Sequence, residues 1–341
     1  MAKENISIYT IAKEAGVSPA TVSRVVTNNA KVSDEKKKKV QEIIDKYDFQ
    51  PNALARGLSN TKSRIIGLLV ADIRNPFYAT MAVECEKTAY EQDYMLLLCN
   101  TFRENEIKDL KRMFEQRVDA IIQIGGKVDG VLSDEEYVDY LNRIADSIPI
   151  LITGKLDGAD CCQINIDEGQ SMEILMEYLV NNGHQNIALI GGRKDVKSTY
   201  DKRLRYKQLL RRHGMPFYED YIVDSLYNIE GGYEAMNKFL QADLPLPTAI
   251  IAINDFTAVG IMQAIKEHGM SIPEDISLAS FDNTYIAESS LPRLTSVGYD
   301  YQQFGKSLVN TAISMIQKQE VAKIQLIKSE LVIRESCKKI N

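Results

Sequence analysis

Apolar positions in the first fifty residues recur at helical spacing in three short stretches. Each stretch follows a serine that can cap a helix, namely Ser7, Ser18 and Ser33. Gly16 is placed to end the first helix, which spans about Ile8 to Ala15, and Pro19 suits the first position of the second, which runs to about Thr27. The third begins with Asp34 and Glu35, which favour a helix N-terminus. The inward positions are Ile8, Ile11, Ala12, Val22, Val25, Val26, Val40, Ile43, Ile44 and Tyr47.

A polar linker, PNALARGLSNTKSR at 51–64, follows and contains one short segment with helical character, Asn52–Leu58. Beyond it, apolar runs alternate with amphipathic segments. The runs predicted as strands are Ile65–Val70, Tyr94–Leu98, Ala120–Ile124, Ile148–Ile152, Ile187–Ile190, Ala249–Ile253 and Ile276–Phe281. The segments predicted as helices include Phe77–Tyr90, Gly169–Asn182, Lys202–His213, Gly231–Leu240 and Asp255–His268. This alternation is typical of α/β domains with doubly wound parallel sheets.

The composition fits a folded protein of two or three domains: 341 residues, 45% of them hydrophobic and 26% charged. No run of about 18 apolar residues indicates a transmembrane helix, and the N-terminus lacks the apolar core of a signal peptide. We therefore expect a cytoplasmic protein without a membrane partner. The five cysteines have no CxxC spacing, and we expect buried thiols rather than disulfides or a metal site.

The charge is unevenly distributed along the chain. Residues 1–64 hold 12 Lys and Arg against 7 Asp and Glu, a net charge of +5. Since the whole chain carries −6, the remaining 277 residues carry −11. A basic head on an acidic body suggests that only the head meets a polyanion, although an ordinary lysine-rich surface has the same balance.

The spacing of Ala12, Gly16 and Val22 is typical of a helix-turn-helix. The small residue lets two helices touch, the glycine adopts the positive φ of the turn, and the valine faces inward from the second helix. That second helix would lie in the major groove with its N-terminal residues at the base edges. Arginine can bind guanine in a bidentate manner, whereas serine, threonine and small apolar side chains suit phosphates or thymine methyl groups. The residues placed there are Pro19, Ala20, Thr21, Ser23, Arg24, Asn28 and Asn29.

These residues, within YTIAKEAGVSPATVSRVVTNNAKVSDEKKKKV and the following FQPNALARGL, closely resemble the DNA-binding head of LacI/GalR regulators. The resemblance continues through IIGLLVADIRNPFY, AINDFTAVG, the segment Ile276–Asn283 and a final strand with RES. It implies an all-α helix-turn-helix head at 1–50, a hinge helix and linker at 51–62, and a core at 63–341. The core would resemble periplasmic sugar-binding proteins. One subdomain would span about 63–162 plus 293–326, and the other about 163–292 plus 327–341.

The resemblance also implies how DNA is bound. The DNA-contacting set comprises Thr10, Ser18, Pro19, Ala20, Thr21, Ser23, Arg24, Asn28 and Leu58. Leu58 matches the leucine wedge that opens a base step in the minor groove when the hinge becomes helical on DNA. Because one head reads few base pairs, a twofold homodimer on a near-palindromic double-stranded operator is expected. The chain ends directly after its last strand, which favours a dimer over a tetramer.

Polar residues follow the predicted strands, where open α/β sheets bind ligands. Carboxylates, an amide and an arginine suit sugar hydroxyls, and an aromatic ring can stack on the apolar face of a sugar. The effector-binding candidates are Asp72, Phe77, Lys155, Arg205, Asn254 and Asp282. The resemblance supports Arg205, Asn254 and Asp282. Relatives often have other residues at the positions of Gly154-Lys155 and Tyr299, so the resemblance gives less support to sugar binding there. Asp255 is expected to cap the following helix.

We therefore predict a ligand-responsive, sequence-specific transcription regulator, a repressor of carbohydrate-utilisation genes. The alternative is a cytoplasmic regulator that responds to a non-sugar metabolite or a protein co-repressor. The effector is expected to be a sugar or an acidic sugar derivative, since Arg205, Lys155, Arg74, Arg193 and Lys202 would outnumber Asp72 and Asp282 if all pointed inward.

No enzyme activity and no cofactor are expected. The pairs Gly125-Gly126 and Gly191-Gly192 form neither a GxGxxG motif nor a P-loop, and the three histidines show no metal or triad spacing. A secreted solute-binding protein would explain the body alone, but not the helix-turn-helix head.

Overall fold

The computed structural model describes residues 6–26, 32–47, 49, 62–101, 105–242 and 244–340. The chain divides into two units, a head up to Ser63 and a body from Arg64 onward. Within the described residues, no helix is both long enough and apolar enough to cross a membrane.

The head contains three helices, as the sequence predicts: α1 Ile8–Ala15, α2 Pro19–Val26 and α3 Asp34–Lys46. Ser7 caps α1, because its hydroxyl accepts the amide of Thr10 and the Thr10 hydroxyl accepts the amide of Ser7. Gly16 ends α1 with a left-handed φ of 66°. The three helices bury one small core made of Ile11, Ala12, Val22, Val25 and Val40.

The first subdomain of the body is built on a six-stranded sheet in which every strand pairing is parallel. Its order is β11-β5-β4-β3-β1-β2. The strands are β1 Ile65–Val70, β2 Met95–Asn100, β3 Ala120–Ile124, β4 Ile150–Thr153, β5 Cys162–Ile166 and β11 Ile324–Ile327. The helices are α4 Pro76–Glu91, α5 Glu106–Glu115, α6 Glu135–Ala145 and α12 Tyr301–Ile316.

The second subdomain repeats the same strand order along the chain, β12-β10-β9-β8-β6-β7. The strands are β6 Ile187–Ile190, β7 Ile222–Val223, β8 Ala249–Ala252, β9 Ser277–Asp282, β10 Thr295–Tyr299 and β12 Ser329–Val332. The helices are α7 Glu168–Asn181, α8 Lys197–Arg212, α9 Ile229–Gln241, α10 Asp255–Glu267 and the short α11 Tyr285–Ser289. The edge strand β12 runs antiparallel to β10, so this sheet is not purely parallel.

Helices cover both faces of each sheet, which explains why strands such as β1 and β3 are apolar throughout. In the first subdomain, α4 and α12 share one apolar cluster with the sheet, while α5 and α6 share the other. In the second, α9 and α10 cover one face, and α7 and α8 cover the opposite face. The doubly wound class predicted from the alternation is confirmed.

The chain passes between the two subdomains three times, after β5, after β10 and between β11 and β12. Two subdomain boundaries expected from the sequence are therefore wrong. Strand β5 belongs entirely to the first sheet, so the first passage follows Ile166 rather than 162. Strand β10 pairs with β9 and β12 in the second sheet, although 293–326 was assigned to the first subdomain. The subdomain to which a strand belongs is decided by the strands it pairs with, and hydropathy does not indicate those partners.

The predicted elements have the observed type, with shifted ends. Helix α8 begins at Lys197, five residues before the predicted start at Lys202. Strands β5, β7, β10 and β11 were not predicted.

Candidate functional site

The exposed side of α2 carries the residues predicted to contact DNA. Ser18 caps this helix: its Oγ accepts the Thr21 amide at 3.2 Å and lies 2.9 Å from Thr21 Oγ1. Ser18, Ala20 and Arg24 are exposed, and Thr10 on α1 is exposed as well.

The other predicted DNA contacts are either half-buried or lie outside the residues that the structure describes. Pro19, Thr21 and Ser23 are half-buried. Arg24 forms no hydrogen bond or ion pair with any residue that the structure describes, so its guanidinium is available to a partner. Asn28 and Leu58, together with the hinge segment 52–58, lie outside the described residues.

The body contains a cleft of about 1630 Å³ between its two subdomains, lined by the segments that follow the carboxyl ends of the strands. All six effector-binding candidates line it: Asp72, Phe77, Lys155, Arg205, Asn254 and Asp282. The sequence therefore selected the right edge of both sheets, as expected where the strand order reverses.

The wall after β1 is formed by a turn into α4. Asn75 caps α4, since its Oδ1 accepts the Phe77 amide at 3.0 Å. Asp72 accepts two bonds from the Arg74 guanidinium, at 2.9 Å from Nε and 2.8 Å from Nη2. Partial burial opposes ionisation of Asp72, but the Arg74 bonds hold its pKa below the ordinary value. Asp72 thus already has a cationic partner.

Four aromatic rings meet at one end of the cleft. The Phe77 ring centre lies 5.2 Å from that of Tyr78, 6.0 Å from Tyr301 and 6.3 Å from Tyr299, all in edge-to-face arrangements. Phe77 packs partly against the first core and partly lines the cleft, so one ring contributes both to the core and to the surface of the cleft. The ring cluster gives the ligand an apolar surface.

Asp282 ends β9 with a φ of 91°, a backbone conformation that is costly for a residue with a side chain. The Tyr301 hydroxyl donates to its carbonyl oxygen at 2.8 Å. Its carboxylate has no hydrogen-bond or ion-pair partner in the described part of the chain. Burial, reinforced by the charge of Asp255, raises the pKa of Asp282 well above its ordinary value.

The helix cap expected at Asp255 is formed by the neighbouring Asn254 instead. Asn254 caps α10, with its Oδ1 accepting the Thr257 amide at 2.8 Å, and its Nδ2 donates to the Tyr227 carbonyl at 3.3 Å. Asp255 does not cap the helix. Its buried carboxylate accepts bonds from Ser280 Oγ at 2.6 Å, from Ser296 Oγ at 2.8 Å and from both the amide and the hydroxyl of Thr284. Asp255 therefore joins α10 to the ends of β9 and β10.

Two basic residues on α8 also have different roles from those predicted. Arg205 lines the cleft, but its guanidinium pairs with Glu173 on α7 and with Gln208 Oε1 at 3.2 Å. Lys202, at the predicted start of this helix, lies within α8; its side chain is 7% exposed and pairs with Glu168. Its Nζ lies 5.0 Å from the centre of the Phe281 ring. Lys202, not Arg205, is therefore the deeply placed cation.

The expected excess of positive charge is wrong. Arg74 pairs with Asp72 and Arg193 pairs with Asp195, while Lys155 Nζ lies 3.3 Å from Asp157. Each of these basic residues lies two positions from its acidic partner, so the pairs form locally and leave no excess positive charge among them.

The cleft also has residues that the sequence did not predict, namely Tyr78, Asp129, Glu168 and Tyr227 as lining side chains. The Tyr227 hydroxyl lies 2.6 Å from Thr199 Oγ1 and accepts the Arg193 amide at 3.2 Å, and burial raises its pKa to about 12. The spacing along α8 indicates that Lys202 faces inward, because it precedes the buried Tyr206 and Leu209 by four and seven residues.

A three-helix head with an exposed, uncommitted recognition helix and a two-subdomain body with a polar cleft define a class of DNA-binding regulators. Residues 7–52 match "Bacterial regulatory proteins, lacI family", and residues 176–337 match "Periplasmic binding protein-like domain". The chain is 32% identical to catabolite control protein A of Priestia megaterium over 98% of its length and 100% of that protein. It is 31% identical to the transcriptional repressor PurR of Pasteurella multocida, over 97% and 98% respectively.

Solved structures show the same fold. The Lac repressor dimer bound to operator and an anti-inducer matches with a TM-score of 0.87 at 24% identity, covering 98% of this chain and 99% of that one. The regulator CelR in complex with cellobiose matches with a TM-score of 0.71 at 22% identity, covering 97% and 100%. The chain belongs to the lacI family of bacterial regulatory proteins and is a ligand-responsive, DNA-binding transcription regulator.

Proposed function

We propose that this regulator represses carbohydrate-utilisation genes by binding a near-palindromic operator as a homodimer. A small sugar-like ligand in the body cleft is proposed to control its affinity for DNA. The single observation that carries the proposal is the pairing, in one chain, of the exposed α2 surface with a cleft lined by hydrogen-bonding side chains. Thr10, Ser18, Pro19, Ala20, Thr21, Ser23 and Arg24 are proposed as DNA contacts. Asn28 and Leu58 remain predictions from the sequence.

The ligand class is supported by the chemistry of the cleft. Carboxylates, amides and tyrosine hydroxyls around an aromatic cluster suit a ring that carries hydroxyl groups on its edge and apolar hydrogens on its faces. Two of the fold neighbours are solved with an anti-inducer and with cellobiose. The cleft is proposed to bind and release this ligand unchanged, so the protein is not an enzyme.

Dimer formation is supported by exposed apolar side chains on α4 and the neighbouring edge strand β2. Tyr90 is 78% exposed and Met95 is 67% exposed, with Val83 and Leu98 also exposed. Such side chains on adjacent elements are typical of an interface rather than of a monomer surface. A second copy of the chain is the proposed partner, because the operator of a two-headed regulator requires it.

The decisive experiment selects operator DNA from a random duplex library with the purified full-length protein, then measures affinity by fluorescence anisotropy. A near-palindromic selected sequence and a dimer in sedimentation velocity are expected. Tyr90→Glu combined with Met95→Glu should give monomers with weakened operator binding. Phe217→Glu combined with Leu246→Glu, which places the same two charges on exposed apolar side chains of the second subdomain, serves as the matched control. A selected site without twofold symmetry would contradict the dimer, and no selected sequence at all would contradict the repressor assignment.

A further inference from the structure

The basic side chains of the cleft are almost all committed to acidic ones. Among the described residues, eight Lys and Arg side chains line the cleft, and seven of them form ion pairs with a carboxylate. The eighth, Lys194, is exposed to solvent. An anionic ligand would therefore have to displace a carboxylate from its partner before it gained a cation, which costs most of what it gains.

Among the described residues, the cleft groups without a partner include hydrogen-bond acceptors rather than buried cations. The Asp282 carboxylate has no hydrogen-bond or ion-pair partner in the described chain, and neither do the hydroxyl groups of Tyr78 and Tyr299. Tyr299 is only 8% exposed, yet it lines the cleft. Asp282 and Tyr78 are only half-buried and all three groups line the cleft, so a ligand that donates to them can take the place of water there.

The three groups are close enough to interact electrostatically. After burial itself, the negative charge of Asp282 is among the causes that raise the pKa values of Tyr78, Tyr299 and Tyr301. The rings of Tyr299 and Tyr301 are 6.1 Å apart and both meet Phe77 edge to face. An aromatic cluster beside one carboxylate is the arrangement that favours an organic cation, because ring faces attract positive charge and the carboxylate neutralises it.

Resting on the proposed function, we propose that the effector is an amino sugar whose protonated amine lies between the Asp282 carboxylate and the rings of Phe77, Tyr78 and Tyr299. The amine would donate to Asp282, and the ring hydroxyls would bond to Asn254 and the two tyrosine hydroxyls. Asp129 is already bonded to Ser198, and Glu168 to Lys202, so Asp282 is the carboxylate that remains for the ligand.

The cation also removes an unfavourable feature of the empty protein. Burial and the negative charge of Asp255 raise the pKa of Asp282 although the cation Lys202 lowers it, and a bound ammonium group would favour the ionised form further. Asp282→Asn should therefore stabilise the ligand-free body while abolishing its preference for an amine. Glu168→Gln, which leaves Lys202 buried without its partner, is the matched acidic-to-amide control and should destabilise the body.

The test uses isothermal titration calorimetry of the full chain at pH 7 with matched sets of hexoses. Glucosamine and galactosamine are compared with glucose, galactose, their N-acetylated amines and their uronates. We expect an amine to bind at least tenfold more tightly than its neutral, acetylated and acidic counterparts, and Asp282→Asn to remove that difference. A raised melting temperature of ligand-free Asp282→Asn is the second expected result.

Equal or tighter binding of the neutral or acidic hexose overturns the proposal, and so does an amine preference that survives in Asp282→Asn. Binding of no member of the set also overturns it. Operator binding is measured by anisotropy on the same preparation. Loss of the amine preference with intact operator binding contradicts only the ligand assignment, whereas failure to bind a selected operator contradicts the proposed function itself.

Discussion

Both carboxylate oxygens of Asp129, in the first subdomain, accept hydrogen bonds from Ser198, in the second. The Ser198 amide donates to Oδ1 at 3.0 Å, and its hydroxyl donates to Oδ2 at 2.6 Å. The neighbouring Val131 amide donates to the Asp195 carbonyl at 2.9 Å, so the same two loops are joined twice. These contacts join the two subdomains across the cleft, and a ligand shifts the subdomains only by favouring or opposing them.

Ser198→Ala should open the ligand-free body. The substitution keeps the amide bond but leaves one oxygen of a buried carboxylate without its donor, which costs about 1–3 kcal/mol. We expect a larger radius of gyration in small-angle scattering and a lower melting temperature. Ser225→Ala is the control, since the Ser225 hydroxyl, which the substitution removes, donates to the carbonyl of the adjacent Leu226. Unchanged scattering in Ser198→Ala would show that the contact does not hold the cleft closed.

The same contact should depend on pH. Burial raises the pKa of Asp129 to about 6, against the bonds from Ser198 that lower it. Because the raised pKa means that the folded body binds more protons than the unfolded chain, the contribution of Asp129 to the stability of the fold is present at low pH and is lost as the pH rises through about 6. The difference in melting temperature between the parent and Asp129→Asn should therefore change between pH 5 and pH 7. A difference that stays constant across this range would contradict the assignment to Asp129.

The sequence predicted strands whose apolar character comes from burial on both faces, such as β1 and β3. It missed β10, because that strand buries the polar side chains of Thr295 and Ser296. Ser296 Oγ donates to Asp255, and Thr295 Oγ1 donates to the Arg334 carbonyl at 3.2 Å. Hydropathy treats these residues as exposed, and only the tertiary partners show why they are buried.

The candidate site was predicted to the correct strand ends, but not to the correct partners. Asp72 and Asp282 both lie at strand ends, yet the Asp72 carboxylate is bonded to Arg74, whereas the Asp282 carboxylate has no hydrogen-bond or ion-pair partner among the described residues. Arg205 and Lys202 are separated by less than one helical turn, so a small rotation of α8 decides which of them faces inward. Pairing with Glu173 and Glu168, on a helix distant in sequence, settles that orientation.

Gly16→Ala should destabilise the head through the backbone alone. Gly16 has a φ of 66°, and an added Cβ would meet no atom within 4 Å. The left-handed conformation costs a residue with a side chain roughly 1–2 kcal/mol. Hydrogen exchange measured by mass spectrometry on the full chain should show faster exchange in α1 and α2. Gly16→Asn, which tolerates this conformation better, should show a smaller effect, and equal effects of the two changes would contradict the backbone explanation.

Arg24→Ala should weaken binding to the selected operator more than binding to a scrambled duplex. Arg24 is exposed at the last turn of α2 and is not bonded to any described residue, so its removal leaves the head intact. A guanidinium that binds guanine through two hydrogen bonds contributes about 1–3 kcal/mol of discrimination between sequences. Loss of a phosphate contact, by contrast, weakens binding to all DNA sequences alike. Anisotropy at one salt concentration measures both affinities.

Lys39→Ala is the matched control for Arg24→Ala. Lys39 is also an exposed cation of the head, but it lies on α3 and pairs with Glu35 at 2.9 Å. Its loss lowers the positive charge by the same amount, so any general electrostatic effect on DNA affinity appears in both variants. The ratio of operator to scrambled affinity should fall for Arg24→Ala and stay constant for Lys39→Ala. A ratio that is unchanged for Arg24→Ala would assign Arg24 to the phosphate backbone, and base recognition would then rest on the residues at the N-terminus of α2.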